Sequence, residues 1–113
     1  MNNGHSTSGK KTIWISYDLG IRGDYTGLYT WLDKYGAREC GDSMAIIWKT
    51  IKGDVPTTLA QELKKNVKLT KTDRIYIIYR DEGKVKGKFI FGGRKRAPWK
   101  GYGQVAGEAE EDE

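Results

Sequence analysis

The chain has a single cysteine, Cys40, and a single histidine, His5, in 113 residues. One thiol excludes an intrachain disulfide. With His5 in a leader rich in Gly, Ser and Asn, there is no donor set for a thiolate or imidazole zinc cluster within one chain. No phosphate-binding glycine loop follows a parallel strand and no nucleophile–base pair is evident, which argues against a small-molecule enzyme. No apolar run is long enough to span a bilayer, and there is no signal-peptide core. The expectation is a soluble cytoplasmic protein with no membrane partner.

Acidic residues are scarcer in the body of the chain than the totals suggest. The net charge is +5, from 20 bases and 15 acids, but Glu108, Glu110, Glu111, Asp112 and Glu113 crowd the last six positions. Without them, 20 bases face 10 acids. Such an excess suits a polyanionic partner, although it also serves solubility and non-specific adhesion. The length fits one domain with a modest core. Residues 1–11 lack periodicity and are expected to be a disordered leader, 12–92 the folded domain, and 93–113 a tail that is first basic and then acidic.

Thr12 to Leu19 is the stretch around which the rest is organised. It is rich in β-branched and aromatic residues and ends at a carboxylate. Alternation puts Ile13, Ile15 and Tyr17 on one face and Trp14, Ser16 and Asp18 on the other. Bulk on both faces predicts a central strand, packed on helices on one side and covered by something else, such as a partner subunit, on the other. Asp18 is costly to bury unpaired, so it is a surface residue at the strand exit, a cap or a functional group.

Asp24 is a suitable N-cap for a helix running to Tyr35, with Tyr25, Leu28, Leu32 and Tyr35 forming its stripe, Tyr29 and Trp31 flanking it, and Gly36 as the stop. Residues 37–40 read as a short strand, Gly41-Asp42 as a tight turn, and 43–50 as a strand. Thr57 or Thr58 is expected to cap a second helix through about Val67, with Leu59, Leu63 and Val67 inward. Residues 74–80 form the next strand, Asp81-Glu82-Gly83 a hairpin loop, and Lys84 to Phe91 the returning strand. On that strand Val85, Phe89 and Phe91 are expected on one face and Lys84, Lys86 and Lys88 on the other.

From Lys84 to Lys100 there are seven bases and no carboxylate, interleaved with aromatic residues. Lys84, Lys86, Lys88, Arg94, Lys95, Arg96 and Lys100 would track a phosphate backbone while Trp99 or Tyr102 stacks on a base. Edge protection alone would also account for the three strand lysines. The acidic tail either solvates the chain end or folds back as an internal competitor for nucleic acid.

The element order is β-α-β-β-α-β with one more strand. This is the split βαβ order of an α+β, ferredoxin-like sandwich: an antiparallel sheet with both helices on one face. The other face, carrying Trp14, would then be covered in a homodimer helped by the extra C-terminal strand.

The residues Ile15-Ser-Tyr-Asp-Leu19, an acid-capped helix ending in Tyr35-Gly36, and Cys40-Gly-Asp-Ser43 at the head of the third strand resemble small bacterial proteins of the CRISPR-associated protein 2 superfamily. The similarity is greatest to its SinR-like branch, and the virulence-associated toxin D proteins belong to the same superfamily. It covers roughly residues 12 to 79, while the stretch after Gly83 matches only in adding a C-terminal strand.

The resemblance implies a homodimer in which Asp18 meets its two-fold mate and holds Mg²⁺ or Mn²⁺, with Ser43 nearby to bond a phosphate or a metal-bound water. Metal-dependent cleavage of RNA or DNA is attributed to some members, and others are nucleic-acid-binding scaffolds. One carboxylate per chain is a poor Mg²⁺ site, whereas two Asp18 side chains with waters and a phosphate would suffice. No general base is evident near Asp18; Asp24 and Asp42 are candidate helpers, although a helix cap and a turn also explain them. The competing expectation is a non-catalytic protein-interaction module of a toxin–antitoxin, phage or defence system, whose basic tail contacts an acidic protein.

Overall fold

The computed structural model describes residues 9–103. The first eight leader residues and the acidic tail expected as a competitor lie outside the described residues.

Among the described residues, five strands and two helices follow one another in the order β-α-β-β-α-β-β. They are β1 (Lys10–Asp18), α1 (Tyr25–Lys34), β2 (Arg38–Glu39), β3 (Met44–Thr50), α2 (Val55–Asn66), β4 (Arg74–Asp81) and β5 (Lys84–Phe91). The sheet is antiparallel throughout, in the order β2-β3-β1-β4-β5. The protein is thus α+β, with a five-stranded antiparallel sheet and two helices, compatible with a ferredoxin-like sandwich carrying one extra strand. Among the described residues no helix is long and apolar enough to cross a membrane.

β1 is central, as its two-sided bulk predicts. It begins at Lys10 rather than Thr12, because Lys10 and Lys11 lie opposite Thr50 and Lys49 of β3 and the Ile51 N–H donates to the Gly9 carbonyl at 3.1 Å. The partner strand's length extends the ladder past the apolar run.

Alternation decides what is buried. Ile13 and Ile15 of β1, Ile47 of β3, and Ile75 and Ile77 of β4 share one face at 0% exposure, packed with Leu28 of α1 and with Leu59 and Leu63 of α2. Burying each of these side chains contributes about 1.5–3 kcal/mol over leaving it in water.

Trp31, expected beside the α1 stripe, is also buried. Its indole N–H donates to Glu62 Oε1 of α2 at 2.9 Å, and Lys49 Nζ lies 3.1 Å from Glu62 Oε2 and 4.4 Å from the Tyr35 ring centroid. Burial alone would raise the Glu62 carboxyl. The hydrogen bonds from Trp31, Tyr35 and Lys49 and the lysine charge outweigh it and hold the pKa below the ordinary value. A polar triad therefore joins both helices to the sheet.

Three local expectations need correction. α2 is capped by Asp54, not by Thr57 or Thr58: its carboxylate accepts from the Thr57 N–H at 3.0 Å and the Thr57 hydroxyl at 2.6 Å. Val55 and Pro56 then fill the first turn, where proline's missing N–H costs nothing. The β4–β5 hairpin turns on two residues, Glu82 (φ 52°) and Gly83 (φ 79°), with Asp81 paired to Lys84 inside the ladder. Two successive positive φ values define a type I′ turn, which matches the strand twist.

Phe89 and Phe91 do not share a face. They lie opposite adjacent residues, Tyr76 and Ile75, because the register shifts between them. This bulge sends Phe91 toward the core and leaves Phe89 on the face that no helix covers.

Candidate nucleic-acid interface

The helix-free face of the sheet carries Trp14 and Ser16 of β1, Ile46 and Trp48 of β3, Tyr76 and Ile78 of β4, and Phe89 of β5. At its end, where β1 stops, Asp18 lies directly opposite Arg74 of β4. The Arg74 Nη2 donates to Asp18 Oδ2 at 3.1 Å, and Lys95 Nζ from the segment after β5 lies 3.8 Å from the same oxygen. The Asp18 side chain is half exposed. Its pKa lies below the ordinary 3.8, chiefly through the Arg74 hydrogen bond, which with the Gly20 N–H and the Lys95 charge outweighs a slight desolvation. The carboxylate is therefore ionised at neutral pH and shared by two cations.

Around this pair lies a cavity of about 370 Å³ lined by Ser16, Asp18, Arg74, Tyr76, Phe89 and Arg94. The Tyr76 and Phe89 rings meet edge-to-face at 4.8 Å, and the Arg74 and Arg94 guanidinium carbons lie 6.0 and 5.9 Å from the Phe89 centroid. Tyr76 passes so close to β5 that a Cβ on Gly87 would collide with its hydroxyl and ring. A glycine at that position is what lets the phenol lie against the strand. Arg74, Arg94 and Lys95 thus face one carboxylate beside an aromatic wall. Such a cleft attracts an anion joined to a flat ring.

The residues expected in the site divide between two sides of the sheet. Arg94 and Lys95 reach the Asp18 cleft. Lys84, Lys86 and Lys88 lie opposite Asp81, Tyr79 and Ile77, on the helix side. There Lys86 Nζ pairs with Asp81 Oδ2 at 2.8 Å, and Lys88 borders a small cavity with Pro56 and Thr57 at the start of α2. Arg96 and Lys100 are exposed, and Trp99 is 73% exposed. The basic run is continuous in sequence and split in space.

Ser43 is exposed just before β3, at φ 59°, with its carbonyl accepting the Tyr17 N–H at 3.0 Å. It is absent from the cavity lining, whose serine is Ser16. Asp24 is committed as the α1 cap, accepting from the Gly27 N–H at 3.0 Å and the Lys68 N–H at 2.8 Å, and Asp42 is exposed in the turn before β3. Tyr17, next to Asp18 in sequence, points to the helix side, where burial first and then Tyr29 push its pKa up to about 12.

Sequence reasoning missed Arg74, Tyr76 and Phe89 as site residues. The alternation of β4 carried a signal for the first two, because Arg74, Tyr76, Ile78 and Arg80 fall together on the face away from the core.

The donor set around Asp18 does not fit a resident Mg²⁺ or Mn²⁺ within one chain. Such an ion wants several oxygens, and here a single carboxylate is bracketed by an arginine and a lysine. A second Asp18 from another copy would have to complete any such site.

Comparisons of the chain with protein-family models, curated proteins and solved structures found no significant match.

Proposed function

We propose that this protein binds nucleic acid through the cleft at the end of β1. The observation that carries this reading is the grouping of Arg74, Arg94 and Lys95 with the Tyr76 and Phe89 rings around one ion-paired carboxylate. Phosphate oxygens match the guanidinium forks, and an aromatic wall accepts a base face. The resemblance to the CRISPR-associated protein 2 superfamily implies the same class of ligand, RNA or DNA.

Two other readings have observations of their own. The homodimer implied by the resemblance would use the helix-free face, whose centre at Trp14, Ile46 and Ile78 is apolar; metal-dependent cleavage at paired Asp18 residues would follow only from that dimer. A protein-interaction module with an acidic partner would use the exposed Trp99 and Tyr102 beside Lys100.

The test is fluorescence anisotropy with labelled oligonucleotides across a salt series, with the products run on a gel after incubation with Mg²⁺ or Mn²⁺. Replacing Arg94, Lys95 and Arg96 together with glutamine should flatten the slope of log affinity against log salt by about 2 on a single strand, at about 0.7 per phosphate contact. An unchanged slope removes these residues from the interface. Cleavage that Asp18→Ala abolishes, with fold and binding retained, would establish the nuclease reading instead.

A further inference from the structure

A second cavity, of about 600 Å³, opens at the other end of the helix-free face. Lys10, Lys11, Thr12 and Trp14 of β1 line it on one side, and Arg80, with Glu82, Gly83 and Val85 of the β4–β5 hairpin, lines it on the other. The nearest lining residues on β1, Trp14 and Ser16, are two apart, so the two cavities adjoin across roughly 7 Å of strand. Between Tyr76 of the first cavity and Arg80 of the second, the β4 surface is the half-buried Ile78.

The chemistry repeats from one end to the other. At one end Arg74 and Arg94 flank Phe89; at the other Lys10 and Arg80 line one cavity with Trp14; and the Arg38 guanidinium carbon of β2 lies 5.8 Å from the Trp48 ring of β3. Together the two cavities are lined by five cations, Lys10, Lys11, Arg74, Arg80 and Arg94, against two carboxylates, Asp18 and Glu82. Of those carboxylates Asp18 is already ion-paired.

A ligand that alternates flat rings with negative charges matches this pattern. We infer that the helix-free face is a platform for single-stranded nucleic acid, which runs from the Asp18 cleft to the Trp14 cavity and stacks bases on Phe89 or Tyr76 and on Trp14. This deepens the nucleic-acid reading and rests on it.

The alternatives fit less well. A duplex keeps its bases stacked inside and cannot offer them to rings set in a sheet surface. A second copy laid face to face would desolvate the same five cations against their own mates. RNA-recognition modules stack two or three bases on the outward aromatic residues of an antiparallel sheet, and the face here offers Phe89, Tyr76 and Trp14.

The experiment compares binding of a labelled single-stranded oligonucleotide and of its duplex to the full chain, to Trp14→Leu and to Arg80→Gln, with size-exclusion light scattering at the assay concentration. The platform predicts tighter binding of the single strand and quenching of tryptophan fluorescence on binding. Trp14→Leu should lose on the order of five- to hundredfold in single-strand affinity. Arg80→Gln, an exposed change that leaves the fold intact, should flatten the single-strand salt slope by about 0.7. Equal affinity for single strand and duplex, or binding that neither variant alters, overturns the platform while leaving the Asp18 cleft as the binding site. A dimer that Trp14→Leu dissociates gives the face to a second copy and also overturns it. Absence of binding to either oligonucleotide removes the nucleic-acid reading itself.

Discussion

Replacing Asp18 with asparagine separates an electrostatic role from a metal-binding one by the sign of the effect. The change conserves volume and frees Arg74 and Lys95, which lie 3.1 and 3.8 Å from the same carboxylate oxygen. The local balance goes from three cations against one carboxylate to three cations alone. An exposed ion pair of this kind is worth about 0.2–1 kcal/mol, so single-strand affinity should rise by up to about fivefold at moderate salt. If both freed cations reach phosphates, the slope of log affinity against log salt should steepen by up to about 1.4. Anisotropy titrations from about 50 to about 200 mM salt would resolve that change. Weaker binding or a flatter slope would refute the reasoning, because it would mean that the carboxylate attracts the ligand, through a metal ion or a donor group, rather than holding the cations in reserve.

The remaining predictions concern the scaffold and its acid response. Leu59→Ala, at a fully buried position on α2, should cost about 2–5 kcal/mol in urea unfolding; a loss well below 1 kcal/mol would mean that the helix does not pack on the sheet here. Gly87→Val should drive Tyr76 off β5 and break its 4.8 Å contact with Phe89, read as a change in near-ultraviolet circular dichroism with the helical signal retained. Because Asp18 titrates below 3.8 in the folded chain, the stability from its ion pairs is fully present above 3.8 and is lost as pH falls through the lower folded value. The stability difference between wild type and Asp18→Asn should therefore shrink on acidification, and a difference that grows would contradict the pairing.

Much of the fold is legible in the sequence because hydrophobic period and turn chemistry agree. Ile13 and Ile15 alternate as a strand must, Asp24 caps the helix it precedes, and Glu82-Gly83 supplies the positive φ values of a tight hairpin. The start of α2 was less legible: threonines at 57 and 58 look like caps, yet Asp54 reaches Thr57 across a first turn that contains Pro56. The site was legible only in part. Asp18 stands out as an acid ending an apolar strand, but its partner Arg74 is 56 residues away and is set by the β1–β4 register. The basic run misleads in one dimension, since the pleat turns its strand lysines to the helix side and the bulge before Phe91 turns that ring inward, away from Phe89. Register and bulges are properties of paired strands, so neither half shows them alone.

The central position of β1 also has a cost during synthesis. Its hydrogen-bonding partners are β3 and β4, so the ribosome adds the 63 residues from Leu19 through Asp81 after β1 before both flanks can be covered. At about 5–20 residues per second this is roughly 3–13 s, with both edges of an apolar ribbon open until β3 is made at Thr50 and one edge open after that. Lys10 and Lys11 at one end of β1 and Asp18 at the other are charges that bound its apolar run, the pattern of gatekeeper residues around a hydrophobic strand. Asp18 thus closes the apolar run of β1 in the sequence and anchors Arg74 in the fold.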